Sequence, residues 1–337
     1  MKHFAMSMLL LAAAGLAGLN CRAEENETND GRTVMKEAEG RGGWLFTHFQ
    51  RVNEGRTDVE KIQFSLSRDL KSWKVLNDGK PVLTSDVGTR GLRDPFPFRK
   101  KDGTFVILAT DLNTSVPGFS WDKATNAGSP DIILFESKDL VHWSKGRAVS
   151  PLKDATAAWA PKIVDDAGTP LVLWSCKRKG APFRIYGAHT EDFVHYGEPF
   201  VFAERGDAHV IDTIVVPCGG AFVRFVKDDV AKAVMMERAD SLRGPWTPVE
   251  GWNLGHLRNV EGPACTLSGN GREAYLLLDH YARGNESGYR EFRTDDLLSG
   301  RFEPVGREFK AIHGIAHGGM LRISEEEYRR LEGRDWK

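Results

Sequence analysis

A short motif recurs five times along this chain, and its recurrence constrains the fold more than any other feature. Each copy begins with a polar or aromatic residue, often beside Pro or Gly, and then becomes apolar. The copies start roughly 50 to 65 residues apart, within or a little above the range for the blades of a β-propeller. Proline is tolerated at the edge of a sheet, and the innermost strand of a blade is such an edge. The copies occupy residues 91–98, 159–164, 211–216, 261–266 and 317–321.

A second motif indicates the number of blades. The segment Ser67-Arg68-Asp69-Leu70-Lys71-Ser72-Trp73 returns closely at residues 137–143 and 190–196, and more loosely at 239–246 and 294–302. Each copy follows an apolar strand, supplies an Asp suited to a turn, and ends on an aromatic residue that can pack between sheets. Five copies predict five blades.

The order of the two motifs predicts how the ring closes. The second motif begins at residue 67, before any copy of the first, and the first motif ends the series at His317. We therefore expect the C-terminal strand to pair with residues 44–49 as the inner strand of the first blade, which removes the exposed edges of an open array. The sequence thus predicts an all-β, five-bladed β-propeller with four antiparallel strands per blade. It also predicts a rim loop at 113–130 and a short helix at 324–330.

The N-terminal region is expected to lie outside this fold. Residues 1–23 combine a positive start, an apolar stretch and a small residue at the cleavage position, which is typical of a signal peptide. Residues 24–43 are polar and acidic, as in a flexible linker, and the propeller domain is expected at 44–337. We expect export to the periplasm or beyond. Lipoprotein anchoring through Cys21 is the alternative, although Gly18-Leu19-Asn20 departs from the usual pattern.

Composition narrows the classes of partner. The formal net charge is −1 and no basic stripe with interleaved aromatic residues occurs, so a nucleic-acid partner is not expected. No segment after the signal peptide has the apolar length of a membrane helix, and we expect a monomer. Cys176, Cys218 and Cys265 are expected to be buried free thiols, with a bridge between Cys218 and Cys265 as the alternative that export would permit.

The first motif carries the residues with chemical potential. Inner strands of a propeller converge on one mouth of the channel, so the motif should bring together five residues from distant parts of the chain: Asp94, Trp159, Asp212, Glu261 and His317. Hydrolysis of a glycosidic bond needs a carboxylic acid to protonate the leaving oxygen and a carboxylate to activate water. A third carboxylate beside the acid would keep the acid protonated, and aromatic residues can stack on sugars.

Taken singly, a residue of each of these types more often has a structural than a functional role, because Asp-Pro and Glu-Gly-Pro are common in turns. Their placement together by the repeat favours the functional reading. Other acidic residues lie off the inner-strand starts and compete less well: Asp207, Asp228, Asp229 and Asp279.

The chain resembles the five-bladed propeller hydrolases of glycoside hydrolase family 43 from about Trp44 to Tyr328. The resemblance rests on Arg93-Asp94-Pro95-Phe96 with Asp102-Gly103-Thr104-Phe105, and on segments 159–163, 211–212, 260–263 and 317–318. It implies an inverting hydrolase of glycans that contain arabinofuranose, xylose or galactofuranose.

The resemblance also implies roles for single residues. Asp94 matches the general base, Asp212 the carboxylate that tunes and orients the acid, and Glu261 the general acid. His317 matches a histidine that in some members helps to hold a central cation, often calcium; no cofactor is otherwise required. The expected substrate contacts are Arg93, Phe96 and Trp159.

Two alternatives stay open at this point. An inverting phosphorylase would need a basic phosphate pocket, for which the sequence offers Arg93, Lys162, Arg224 and Arg258. A non-catalytic glycan-binding propeller would lack a correctly spaced acid and base, and the presence of all three carboxylates argues against it.

Overall fold

The computed structural model describes residues 42–51, 58–281, 287–306 and 314–336. Within these ranges the chain forms five four-stranded antiparallel sheets, which confirms the predicted five-bladed propeller. The predicted signal peptide, Cys21 and residues 24–41 of the predicted linker lie outside the described residues.

The blades are numbered from the N-terminus. Each is given from its inner to its outer strand, except blade three, which is given from its outer to its inner strand. Blade one contains β20 (Ile315–Ile323), β1 (Gly43–Gln50), β2 (Ile62–Ser67) and β3 (Lys74–Val75); blade two contains β4 (Leu92–Arg99), β5 (Phe105–Asp111), β6 (Ile132–Ser137) and β7 (Arg147–Val149). Blade three contains β11 (Phe200–Ala203), β10 (Arg184–His189), β9 (Thr169–Arg178) and β8 (Ala155–Asp166). Blade four contains β12 (Val210–Cys218), β13 (Ala221–Asp228), β14 (Ala233–Ala239) and β15 (Thr247–Pro248); blade five contains β16 (Val260–Leu267), β17 (Ala274–His280), β18 (Gly288–Thr294) and β19 (Glu303–Pro304).

The ring closes as the order of the motifs predicts. Strand β20 pairs antiparallel with β1, with Phe46 opposite Met320 and Thr47 opposite Gly319. All eight residues of β1 are buried, because β1 is covered by sheet neighbours on both sides and by packing on both faces. The two ends of the propeller domain are therefore held in one sheet.

The second motif forms the predicted turns. Asp69 Oδ1 accepts hydrogen bonds from the backbone N–H groups of Lys71 at 2.9 Å and Ser72 at 2.8 Å. The indole of Trp73 then donates to the Leu70 carbonyl at 3.1 Å. The copy at residues 137–143 repeats both contacts. The aromatic residue thus locks the turn while its ring packs against the neighbouring blade.

Two short α-helices accompany the strands in the described part of the chain. The side chain of Ser120 caps helix α1 (Trp121–Asn126). The predicted rim loop at 113–130 therefore contains a short helix, which its Gly- and Ser-rich sequence did not indicate. Helix α2 (Glu325–Glu332) starts at a capping box formed by Ser324 and Glu327, which confirms the predicted terminal helix. No helix among the described residues is long and apolar enough to cross a membrane.

The cysteine predictions are confirmed in part. Cys176 and Cys265 are buried free thiols, so the alternative bridge between Cys218 and Cys265 is not formed. Cys218 is disulfide-bonded, and the expectation of a free thiol is wrong for this residue.

Candidate active site

The inner strands are interrupted by β-bulges at the first motif. The pairing register shifts after Arg93, Trp159, Ile211 and Glu261. The bulged residues take left-handed backbone conformations, with φ of 53° at Asp94, 49° at Ala160, 51° at Asp212 and 52° at Gly262. A bulge bends the strand and re-aims its side chains. The motif residues therefore lie at bulges within the strands, and not at the strand starts, where the sequence predicted them.

The bulges bring four of the five motif residues into contact, and we call Asp94, Asp212, Glu261 and His317 the central cluster. His317 Nδ1 lies 3.0 Å from Asp94 Oδ1 and 3.8 Å from Asp212 Oδ2. On the other side of the ring, Nε2 lies 3.1 Å from Glu261 Oε1, although it is not aligned for a hydrogen bond. The imidazole thus separates Asp94 from Glu261.

Asp94 is held as a buried, ionised carboxylate. Thr110 Oγ1 accepts the Ala160 N–H at 2.7 Å and donates to Asp94 Oδ2 at 2.6 Å. Burial alone would raise the pKa of Asp94, but the hydrogen bond and the charge of His317 outweigh burial and lower this pKa to about 2. Asp94 therefore carries a negative charge at neutral pH.

Asp212 is fixed by two backbone contacts. Its N–H donates to Ser175 Oγ at 2.9 Å, and its Oδ2 accepts the Gly262 N–H at 3.1 Å. Burial raises the pKa of Asp212; the charge of Glu261 adds to this effect and the charge of His317 opposes it. The second contact links Asp212 directly to the bulge that carries Glu261.

Glu261 stands among cations. Lys227 Nζ donates to its Oε2 at 2.6 Å, and Arg51 Nη2 lies 3.8 Å from its Oε1. Burial would raise the pKa of Glu261, but the charges of His317 and Lys227 outweigh burial and hold the pKa well below its usual range. The expectation that Asp212 keeps Glu261 protonated is therefore wrong, because the cations His317 and Lys227 lie in contact with Glu261.

His317 is the positive centre of the cluster. Burial would lower its pKa, but the charges of Asp212 and Glu261 and the hydrogen bond with Asp94 raise it to about 10. Tyr289 fixes the backbone beside it: its hydroxyl accepts the Gly318 N–H at 3.0 Å and donates to the Gly262 carbonyl at 2.8 Å. One buried hydroxyl thus ties the bulge of Glu261 to that of His317.

Four supporting side chains come from the second strands of the blades, and the sequence analysis missed them as a group. They stand opposite the residue that precedes each bulge: Thr110, Ser175, Lys227 and Asp279. Asp279 lies off the inner strands, yet its carboxylate contacts Arg51 and lies 3.4 Å from His317 Nε2. Burial raises its pKa to about 6, opposed by Arg51 and His317.

A sequence signal for these four residues exists. Each is a polar residue near the end of a strand that is otherwise apolar, as in Leu276-Leu277-Leu278-Asp279. A polar residue in such a run must find a partner when it is buried.

The central cluster forms part of the wall of a cavity of about 890 Å³. Trp159 stands apart from the cluster on the cavity wall, with its ring 4.8 Å from that of Phe183 and 6.1 Å from that of Trp121 between centroids. Arg93 also lines the cavity, with its guanidinium 2.8 Å from Glu60. These aromatic side chains offer a surface on which a sugar can stack.

Phe96 does not belong to this wall. Its side chain is 8% exposed and packs in the hydrophobic core, where Lys162 Nζ lies 5.3 Å from its ring centroid. The bulge explains the difference, because it turns Asp94 to the axis and leaves Phe96 inside the sheet. Phe96 is therefore a core residue, and its expected contact with substrate is not supported.

The residues on the axis offer only part of the ligand shell that calcium prefers. Asp212, Glu261 and His317 each offer one ligand atom, all within 4.8 Å of one another. Calcium takes six to eight oxygen ligands, whereas this group offers two carboxylates and a nitrogen.

Sequence comparison gives one family and one curated relative. Residues 39–329 match a family model related to glycoside hydrolase family 43 and described as a probable glycosyl hydrolase domain. An α-L-arabinofuranosidase of Bifidobacterium longum subsp. longum is 28% identical over 306 residues. The match covers 72% of this chain but 28% of that protein, so the chain spans little more than a quarter of the length of this relative.

Solved structures share the fold. A thermostable family-43 glycoside hydrolase superposes with a TM-score of 0.56 at 13% identity, over 80% of this chain and 96% of that one. An endo-1,4-β-xylanase of Bacteroides thetaiotaomicron superposes with a TM-score of 0.55 at 14% identity, over 81% of this chain and 92% of that one.

Proposed function

This chain belongs to the glycoside hydrolase family 43 group, and on that premise we propose that it is an inverting glycoside hydrolase. Its substrates would be glycans that contain arabinofuranose, xylose or galactofuranose. One observation carries the proposal: Asp94 and Glu261, from blades two and five, face opposite sides of the His317 ring, with Asp212 beside them.

Asp94 acts as the general base. It is ionised at neutral pH, and both of its oxygens are held in place, one by Thr110 and the other by His317. In an inverting enzyme the base removes a proton from water as that water attacks the anomeric carbon, and the two carboxyl groups lie roughly 6.5–9.5 Å apart to admit the water. The imidazole between Asp94 and Glu261 supports such a separation.

Glu261 acts as the general acid, although His317 and Lys227 lower the pKa of its carboxyl. The leaving oxygen of the bound substrate would approach Glu261 and displace water from the cavity, which strengthens the effect of burial on the pKa of this carboxyl. Protonation of Glu261 then accompanies substrate binding, and activity should decline as the pH rises. Asp212 positions Glu261 through the Gly262 N–H.

Trp159 and Arg93 contribute to substrate binding in this proposal. Trp159 offers a stacking surface beside Phe183, and Arg93 is fixed by Glu60 at the cavity wall. The curated relative, named as an α-L-arabinofuranosidase, supports arabinofuranose as the first sugar to examine. Export of the protein and its action as a monomer without a required cofactor are further parts of the proposal.

The phosphorylase alternative has less support. Among the four cations named for a phosphate pocket, Arg93 pairs with Glu60 and Arg224 pairs with Glu237. Lys162 is buried above the ring of Phe96, and Arg258 bonds to backbone carbonyls. A glycan-binding propeller without activity is disfavoured by the ionised base and the second carboxylate across the same ring.

The proposal is tested by a screen of aryl glycosides of arabinofuranose, xylose and galactofuranose, with and without inorganic phosphate. We expect hydrolysis of at least one glycoside at a rate that phosphate leaves unchanged, and loss of this activity in Asp94→Asn. Release that depends on phosphate would favour the phosphorylase, and binding without release of the aryl group would favour the glycan-binding propeller.

A further inference from the structure

The geometry assigns Lys177 as a binding site for the carboxylate of a uronic acid residue, one sugar away from the central cluster. This inference rests on the proposed function and names a feature of its substrate: an acidic glycan.

Five Lys and Arg side chains line the cavity: Arg51, Arg93, Lys177, Lys227 and Lys232. Four of them are neutralised by carboxylates. Arg51 contacts Asp279, and Arg93 lies 2.8 Å from Glu60. The lysines at 227 and 232 approach Asp229 at 3.0 and 2.9 Å.

Lys177 differs from these four side chains. Its ammonium group donates to the backbone carbonyl of Ala181 at 2.9 Å, and no ion pair joins it to a carboxylate within the part of the chain that the structure describes. The chain as a whole has a net charge of −1. The positive charge of Lys177 in the cavity therefore does not result from an overall excess of basic residues. An ammonium group with spare donors is suited to an anionic ligand.

The register of β9 places Lys177 at a definite step from the chemistry. Ser175, which binds the Asp212 N–H, and Lys177 are two residues apart on one strand and point to the same face. They are therefore separated by about 7 Å along the strand. Lys177 therefore lies further along the same cavity wall than the strand position that contacts Asp212, where it would face a sugar next to the one at the central cluster.

The surroundings of Lys177 suit a sugar ring. Cys176 pairs with Arg184, the first residue of β10. Phe183, which precedes β10, therefore lies beside Lys177. The Phe183 ring packs against Trp159, and the backbone N–H of Phe183 donates to His209 Nδ1 at 3.3 Å. Because Nδ1 accepts this hydrogen bond, a neutral His209 carries its proton on Nε2. This N–H is a second donor in the cavity wall, besides the ammonium group of Lys177. Aromatic faces with two donors at their edge fit a sugar that carries a carboxylate.

Calorimetry on the Asp94→Asn variant tests this assignment without relying on turnover. The probes are xylan oligosaccharides with a glucuronic acid branch, and the same oligosaccharides after chemical reduction of the carboxyl group to an alcohol. We expect the acidic form to bind about tenfold more tightly or better, as for a charge-assisted hydrogen bond. Adding Lys177→Met should bring the two affinities together, whereas Lys177→Arg should preserve the difference. The matched control is Lys179→Met, which changes an exposed lysine of the same hairpin.

Equal affinity for the acidic and the reduced oligosaccharide, or a preference that survives Lys177→Met, would overturn the inference. Tighter binding of a sulfate-ester oligosaccharide than of the uronate form would overturn the assignment to a carboxylate. The outcome is separable from the proposed function: hydrolysis without a preference for uronate contradicts only the inference, and a preference without hydrolysis contradicts only the proposed function.

Discussion

Lys227 Nζ donates a hydrogen bond of 2.6 Å to Glu261 Oε2, so the proposed general acid is bound by a cation from the neighbouring blade. Lys227 is 2% exposed. Burial would lower its pKa, but the charges of Glu261 and Asp212 outweigh burial and raise it above the usual lysine range. Lys227 thus remains charged throughout the working range of pH and stabilises the ionised form of Glu261.

Replacing Lys227 with Met should extend activity to higher pH. Loss of the positive charge destabilises the Glu261 carboxylate, so the pKa of Glu261 rises and its protonated form persists in less acidic solution. We expect the alkaline limb of the kcat/KM profile to move up by roughly 1–3 pH units, the usual effect of an adjacent opposite charge. Lys232→Met is the control, because Lys232 bonds to Asp229. An unchanged limb, or one that moves to lower pH, would contradict the role of Lys227.

Replacing Glu261 with Gln should lower kcat/KM by an amount that depends on the leaving group of the substrate. A glutamine cannot protonate the leaving oxygen, and general acid catalysis contributes roughly 10²–10⁴-fold. We expect a loss of this size for natural glycans and a much smaller loss for aryl glycosides with an acidic phenol. The measurement is kcat/KM across a series of phenols. Equal losses along the series would show that Glu261 does not act as the acid.

Replacing Asp94 with Asn should reduce turnover of natural glycans and of aryl glycosides alike. Without the base no water is activated, whatever the leaving group, and a loss of roughly 10²–10⁴-fold is expected. Asp102→Asn is the control in the same blade, since Asp102 Oδ1 accepts a backbone hydrogen bond at an exposed turn. Substantial activity of Asp94→Asn on both substrates would mean that the base lies elsewhere.

Removal of divalent cations should leave the protein unaffected. The axis offers two carboxylates and a histidine nitrogen, which are fewer oxygen ligands than calcium takes. We expect unchanged activity and an unchanged Tm after exhaustive chelation and after readdition of calcium. A fall in both after chelation, reversed by calcium, would show that an ion binds in or near the central cluster.

The fold and the convergence of the central residues were predictable because both follow from repeats. The number of copies indicated the number of blades. The copy at His317 has no second motif after it, which indicated closure through β20 and β1. Trp159 shows the limit of this reasoning. It precedes its bulge, as Arg93 does, and lies on the cavity wall, whereas Asp94 is itself a bulged residue and reaches the axis.

The charge state of Glu261 was not predictable, because it depends on the register between strands. Lys227 reaches Glu261 from β13 of the preceding blade, and Asp279 stands opposite Glu261 within its own blade. A motif in the inner strand does not specify which side chains the second strands supply. The sequence therefore indicated three carboxylates but not the cations that set their pKa values.

The anomeric configuration of the first product tests the central claim most directly. NMR spectra recorded during the first minutes of hydrolysis, before mutarotation, separate the two anomers of the released sugar. A base and an acid on opposite sides of the His317 ring predict a product with inverted configuration, because one water attacks the face opposite the leaving group. A first product with retained configuration would contradict the assignment of Asp94 as the base.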